Sequence, residues 1–231
     1  MVKTINDLAL MKSGADIAHQ APLAVNFEYY LAQRPKVLAH SGKLPAYLLL
    51  PEVHRLLDAT LNDRHRLLFN VLWQTGSRIS EALAVRPKDL VLDNPMNSYV
   101  SLETLKRAAG RKKTVTRPSR RVVPIVNEGL LLELKRYIET HRCKRLSPLF
   151  DLSRQAVDNA IKHWAGQLNP PLSIHPSAHT LRHSFAVNHL LHGQSLKDIS
   201  AWLGHTSLKT TLIYLNVLGS DTNHLAIRTQ F

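Results

Sequence analysis

The sequence predicts an α+β fold that is mainly α: a helical domain carrying a small antiparallel β-sheet. Three observations predict it. Apolar residues recur at helical spacing from Pro51 to Ala84 and again from Asn127 to Leu215. Between these regions stand three short segments rich in Val, Ile and Tyr, bounded by Pro, Asn and Asp. No internal repeat or low-complexity stretch interrupts the pattern.

Residues 1–43 form a mixed, weakly patterned lead, in which Phe27-Glu-Tyr-Tyr-Leu-Ala predicts a helical turn or two. Ser41-Gly42 and Pro45 punctuate its end. A 43-residue lead falls below the ~50-residue lower end of usual domains, so it reads as a short N-terminal appendage. Pro51 at a first helical position, with Leu56 and Leu57 on one face, opens the main domain, expected over 44–218. Asp63 to Gln74 predicts a second helix with Leu67, Leu68, Val71 and Leu72 as its buried stripe, ended by Gly76. Arg78 to Ala84 makes a short third. Lys88–Asp93, Tyr99–Leu105 and Arg120–Val126 are the strand segments. Asn127 caps a helix through Glu139, and Ser153 caps the next through Gln167. Asn169-Pro-Pro breaks the pattern. Helices follow around Thr180–Leu191, Leu196–Leu203 and Leu208–Leu215, and residues 219–231 form a tail.

The formal charge of +13 points to a polyanionic partner, either nucleic acid or an anionic surface. Cys143 is the only cysteine, so no intrachain disulfide forms, which fits a reducing compartment. Met1-Val2-Lys3 leads into no apolar signal core, and no apolar run approaches the ~18 residues of a membrane span. A cytoplasmic location and no membrane partner are expected.

Between Leu105 and Arg121 stand Lys106, Arg107, Arg111, Lys112, Lys113, Arg117, Arg120 and Arg121, with no acidic residue. Gly110 and Pro118 mark a turn-rich excursion between two strands. A solvated basic loop would also carry such charges. Their placement between two strands of one sheet favours phosphate contact, each phosphate steepening the log–log salt dependence by about 0.9.

Arg78, His179, Arg182, His205 and Tyr214 form the reactive constellation. Phosphodiesters are attacked either by metal-bound water or by a side chain. The metal route needs clustered carboxylates, and from Gln167 onward only Asp198 and Asp221 are acidic. His179 and His183 stand four apart, as metal ligands can, but HExxH is absent and Cys143 is alone. No metal and no cofactor are therefore expected. The side-chain route needs a nucleophile, and Tyr214 supplies one; its ordinary pKa near ~10 demands a base or a strong positive field. Two arginines give planar clamps on the non-bridging oxygens. Taken singly, each residue has an ordinary alternative: a surface arginine, a helix cap before His205, a core tyrosine. Together and in order they form a site.

The stretches Thr75–Leu83, His179–Ala186 and Leu203–Tyr214, with the basic hairpin between the first two, resemble the tyrosine recombinase (phage integrase) family over roughly residues 44–218. Within it, Pro45–Val53, Arg64-His65 and Trp73–Gly76 look most like the resolvases of F-type conjugative plasmids. The resemblance implies double-stranded DNA as partner, a homotetramer on two DNA sites, and accessory proteins in some systems. It implies that Tyr214 attacks the scissile phosphate to form a 3′-phosphotyrosyl link and release a 5′-hydroxyl. Arg78 and Arg182 would hold the phosphate, His179 would share a proton with Tyr214, and His205 would bond a non-bridging oxygen. Glu81, one turn from Arg78, would support the site. Lys106 is the first choice as general acid, with Lys112 and Lys113 competing; Arg107, Arg111, Lys112, Lys113 and Arg117 would bind DNA. The 43-residue lead would be at most a reduced form of the family's DNA-clamping domain. Plasmid multimer resolution leads over inversion and integration. A non-catalytic site-specific DNA-binding regulator and a type IB topoisomerase-like relaxing enzyme are the competing classes.

Overall fold

The computed structural model describes residues 25–42, 44–104 and 119–218. Its helices are α1 (Phe27–Ser41), α2 (Leu50–Ala59), α3 (Asp63–Thr75), α4 (Ile79–Leu83), α5 (Glu128–Thr140), α6 (Arg154–Ala165), α7 (Ala178–Leu191), α8 (Leu196–Leu203) and α9 (Lys209–Leu212). Strands β1 (Leu90–Val91), β2 (Tyr99–Thr104) and β3 (Ser119–Pro124) form one antiparallel sheet in that order. The mainly helical class with a small sheet is thus the observed one.

Helix α1 is longer than the turn or two that the sequence predicts and runs on through Pro35 to Ser41. Asn26 caps it, accepting from the Tyr29 amide at 3.0 Å. The helix is fastened to the core by Arg34, which is 3% exposed. Its guanidinium donates to both Glu52 carboxylate oxygens at 2.5 and 2.8 Å, to the Tyr47 carbonyl at 3.1 Å, and to the Ser173 hydroxyl. Removing one partner of such a pair strands a buried charge, typically at a cost of about 3–5 kcal/mol. Phe27, Tyr30, Leu31, Val37 and Leu38 pack on the core beside it.

Helix α3 buries the expected stripe of Leu67, Leu68, Val71 and Leu72, and also Phe69 and Trp73. It ends at Gly76, whose φ of +58° lies in the left-handed region. A Cβ there would sit 2.5 Å from the Phe185 ring on α7. Gly76→Ala is therefore expected to lower the unfolding free energy by about 2–5 kcal/mol, combining left-handed strain with overpacking. Urea denaturation checks this; an unchanged midpoint would show that the turn tolerates a side chain.

The sheet obeys the two-residue alternation of a half-buried strand. Val100 and Leu102 of β2 and Val123 of β3 face the core, while Val122 faces out. Val100 pairs with Val123 and Thr104 with Ser119. The predicted Lys88–Asp93 strand shrinks to two residues, because Pro87–Asp89 is a 3₁₀ turn closed by the Asp89 carboxylate on the Arg86 amide. Helices α5, α6, α7 and α8 begin at side-chain caps from Asn127, Ser153, Ser177 and Ser195.

Helix α7 is the central element, buried on nearly every side and packed against α3, α8 and the C-terminal turn. The last predicted helix splits in two: α9 covers four residues, and Ile213–Leu218 continues as a 3₁₀ helix. Thr210, Thr211 and Ile213 are β-branched and weaken an α-helix here.

Candidate active site

Two glycine-ended turns and the middle of α7 build the site. At the first turn, Gly76 reverses the chain and Arg78 opens α4. The Arg78 amide donates to Glu81 Oε2 at 2.8 Å, and its Nη1 donates to Oε1 at 2.9 Å. At the second turn, Gly204 caps α8 in the left-handed region, at φ +65°. His205 follows it, its amide donating to the Ser200 carbonyl at 3.0 Å.

Arg182 of α7 spans the two turns. Its Nη1 donates to the Gly76 carbonyl at 2.5 Å and its Nη2 to the Leu203 carbonyl at 2.7 Å. The residue is 4% exposed, and among the described residues no carboxylate forms an ion pair with it. Burial, then the charges of Arg78 and Arg121, bring its pKa down to about 10, so it stays a cation at neutral pH. A buried cation held by neutral carbonyls is an unfilled half of an ion pair, ready for an anion.

Tyr214 lies in the 3₁₀ helix with 1% of its surface exposed. Its hydroxyl is 2.7 Å from His183 Nδ1. Burial pushes the phenol up to about 12, against the pull of Arg182. Burial, then Arg182 and His179, bring His183 down to about 4, so its imidazole is neutral near pH 7 and has a lone pair for the phenol proton. His205 is likewise brought down to about 4 by burial, then by Arg182, Arg78, His183 and Arg121. Its Nδ1 is 2.9 Å from the Thr211 hydroxyl. With Nδ1 accepting from Thr211, Nε2–H is the remaining donor.

The fold thus gathers Arg78, Arg182, His205, Tyr214 and Glu81. The imidazole hydrogen-bonded to the Tyr214 hydroxyl is that of His183, whereas His179, the residue expected to share the proton, stands exposed one turn earlier on α7. The four-residue spacing puts both imidazoles on one helix face, and only the path of the C-terminal turn decides between them. Thr211 and His183 are site residues that the sequence reading missed. The signal for His183 was its adjacency to Arg182; Thr211 offered none.

Lys106, Arg107, Arg111, Lys112, Lys113 and Arg117 lie outside the described residues. Two other hairpin arginines are described, and both engage carboxylates. Arg120 donates to Asp89, and Arg121 grips Glu81 at 2.6 and 2.9 Å. The run that lacks acids in sequence acquires two in space. Among the described residues, no group of three or more His, Cys, Asp or Glu side chains is placed to hold a metal ion. No described helix is long and apolar enough to cross a membrane.

His183, His205 and His189, the last also brought down to about 4 chiefly by burial, tie pH to stability. All three fold as neutral rings, whereas an unfolded histidine titrates near ~6.5. Below that pH the unfolded chain binds protons the folded chain refuses, so stability is lost as pH falls from about 6.5 towards 4. The urea midpoint is expected to be lower near pH 5 than near pH 7.5; equal midpoints would contradict the burial of these rings.

A mainly helical domain with this arrangement of arginines, imidazoles and tyrosine defines the class. Residues 47–220 match the model of the phage integrase family, and the chain belongs to that family, the tyrosine recombinases. It is 31% identical to a protein named "Resolvase" from Escherichia coli, with 88% of this chain and 85% of that one covered. It is 29% identical to a "Probable site-specific recombinase in afa region" from Escherichia coli, covering 94% and 89%. Among solved structures it resembles the XerH site-specific recombinase bound to palindromic difH substrate, with a TM-score of 0.62 and 22% identity. That match covers 80% of this chain and spans about half (53%) of the XerH chain.

Proposed function

We propose that this protein is a site-specific DNA recombinase that breaks and rejoins DNA through a 3′-phosphotyrosyl intermediate, without a metal ion or cofactor. The observation that carries this reading is the Tyr214 hydroxyl on a neutral imidazole, beside a buried arginine that pairs with no carboxylate among the described residues.

Tyr214 Oη attacks the scissile phosphorus as its proton passes to His183 Nδ1. Arg78, Arg182 and His205 Nε2–H stabilise the charge on the non-bridging oxygens, commonly the largest catalytic contribution. His179, exposed one turn away on α7, shares in the proton transfer from Tyr214, as the resemblance implies. The P–O5′ bond breaks, and the 5′-oxygen takes a proton from a hairpin lysine, with Lys106 ahead of Lys112 and Lys113. The phosphotyrosyl bond keeps the energy of the broken one, so attack by a partner 5′-hydroxyl restores a phosphodiester without ATP.

The catalytic unit is residues 44–218, with 1–43 and 219–231 as flanking segments. Arg107, Arg111, Lys112, Lys113 and Arg117 supply phosphate contacts. The working form is a homotetramer on two DNA sites in the cytoplasm, with accessory proteins setting the outcome. Two relatives named as resolvases support plasmid multimer resolution over inversion or integration. The test is nicked, labelled DNA from beside the protein's own gene, incubated with EDTA. A denaturation-resistant adduct mapping to Tyr214 is the expected result. Specific binding without an adduct favours a regulator, and sequence-independent relaxation of supercoiled plasmid favours a topoisomerase-like enzyme.

A further inference from the structure

We infer that Arg121 is a positioning residue for strand cleavage, holding Arg78, the turn before His205, and the base of the hairpin in one frame. This rests on the recombinase reading above. Sequence alone places Arg121 among the phosphate-facing charges of the hairpin. The fold turns it inward: its side chain is 9% exposed.

Each bond of its guanidinium reaches a different part of the site. Nη1 and Nη2 donate in parallel to Glu81 Oε1 and Oε2 at 2.9 and 2.6 Å. The same carboxylate accepts from the Arg78 amide and from Arg78 Nη1. Arg121 therefore fixes Glu81, and Glu81 fixes Arg78. Nε donates to the Trp202 carbonyl at 2.6 Å, in the last turn of α8 and three residues before His205. Nη1 also reaches the Thr104 hydroxyl at 3.2 Å, at the end of β2 where the chain enters residues 105–118. Gly204 leaves room for this fork: a Cβ there would lie 3.0 Å from Arg121 Cδ and 3.1 Å from Nη1.

The charge arithmetic points the same way. Were Glu81 paired with Arg78 alone, one phosphate-binding cation would be neutralised. Arg121 takes the carboxylate bidentately, so Arg78 and Arg121 share one carboxylate and, with Arg182 close by, two positive charges remain at the site. Arg78 is left with a partly exposed side chain and donors to spare. Lysine cannot replace the fork, since it offers a point charge rather than fixed, divergent donors.

The test uses Arg121→Gln, Arg121→Lys and the double variant Glu81→Gln/Arg121→Gln in the full chain. The single-turnover rate of adduct formation on the nicked duplex, duplex affinity and the urea midpoint are measured for each. Arg121→Gln is expected to slow adduct formation about 10²-fold, as small misplacements of reacting groups do, with little change in DNA affinity. Arg121→Lys should recover part of the rate. The double variant removes the stranded carboxylate charge, so it should recover the urea midpoint but not the rate. Recovery of both in the double variant would make Arg121 a stability residue only and overturn the assignment. An undiminished rate in Arg121→Gln, with adduct from the parent, would overturn it too. No adduct from the parent protein overturns the recombinase reading itself and takes this inference with it.

Discussion

Tyr214→Phe is expected to abolish the covalent protein–DNA adduct while leaving DNA affinity nearly intact. Phenylalanine keeps the ring that fills the buried space and removes only the attacking oxygen. The lost hydrogen bond to His183 costs about 1 kcal/mol, too little to unfold the domain. Gel analysis of adduct and a binding titration on the same duplex check both halves. Residual adduct at parental levels would place the nucleophile elsewhere, and a matching loss of binding would make Tyr214 a structural residue. His183→Ala should slow adduct formation more than His179→Ala does, since only His183 touches the phenol.

Arg182→Lys is expected to reduce cleavage by about 10²–10³-fold, the usual cost of losing one preorganised donor to a developing oxyanion. The positive charge survives the change, but the geometry does not. Arg182 bridges the carbonyls of Gly76 and Leu203 with two nitrogens, and a lysine has one to give. Single-turnover kinetics under saturating DNA separate this from weakened binding. A rate within a few-fold of the parent would mean that charge alone suffices at this position. The same substitution loosens the link between the two glycine turns, so some loss of stability accompanies it.

What the sequence makes legible is local. Gly76 after the Leu67–Leu72 stripe, the capping residues Asn127 and Ser153, and the alternation around Val100 and Val123 act within a few residues of themselves. The site blocks were legible because four short stretches agree in order and spacing. What escapes is the pairing of distant residues. Arg34 meets Glu52 across 18 positions, Arg120 meets Asp89 across 31, and Arg121 meets Glu81 across 40. A run of basic residues therefore looked uniformly outward when two of its members pair with carboxylates of the fold, and one of these, Arg121, is turned inward. Nor does sequence show that His183 rather than His179 meets the Tyr214 hydroxyl, because periodicity fixes a face and not the neighbour that meets it. Helix α1 runs to Ser41 through Pro35, well beyond the turn or two expected from Phe27-Glu-Tyr-Tyr-Leu-Ala.

The C-terminal turn has one more implication. Tyr214 is both almost wholly covered and carried on a 3₁₀ helix, whose hydrogen bonds are poorer than those of an α-helix. A hydroxyl so enclosed cannot strike a phosphodiester in a chance collision. On the recombinase reading proposed above, such concealment works as a safety catch: the phenol and its imidazole are held together out of reach, and the nucleophile is spent only once docking on DNA opens a path to it.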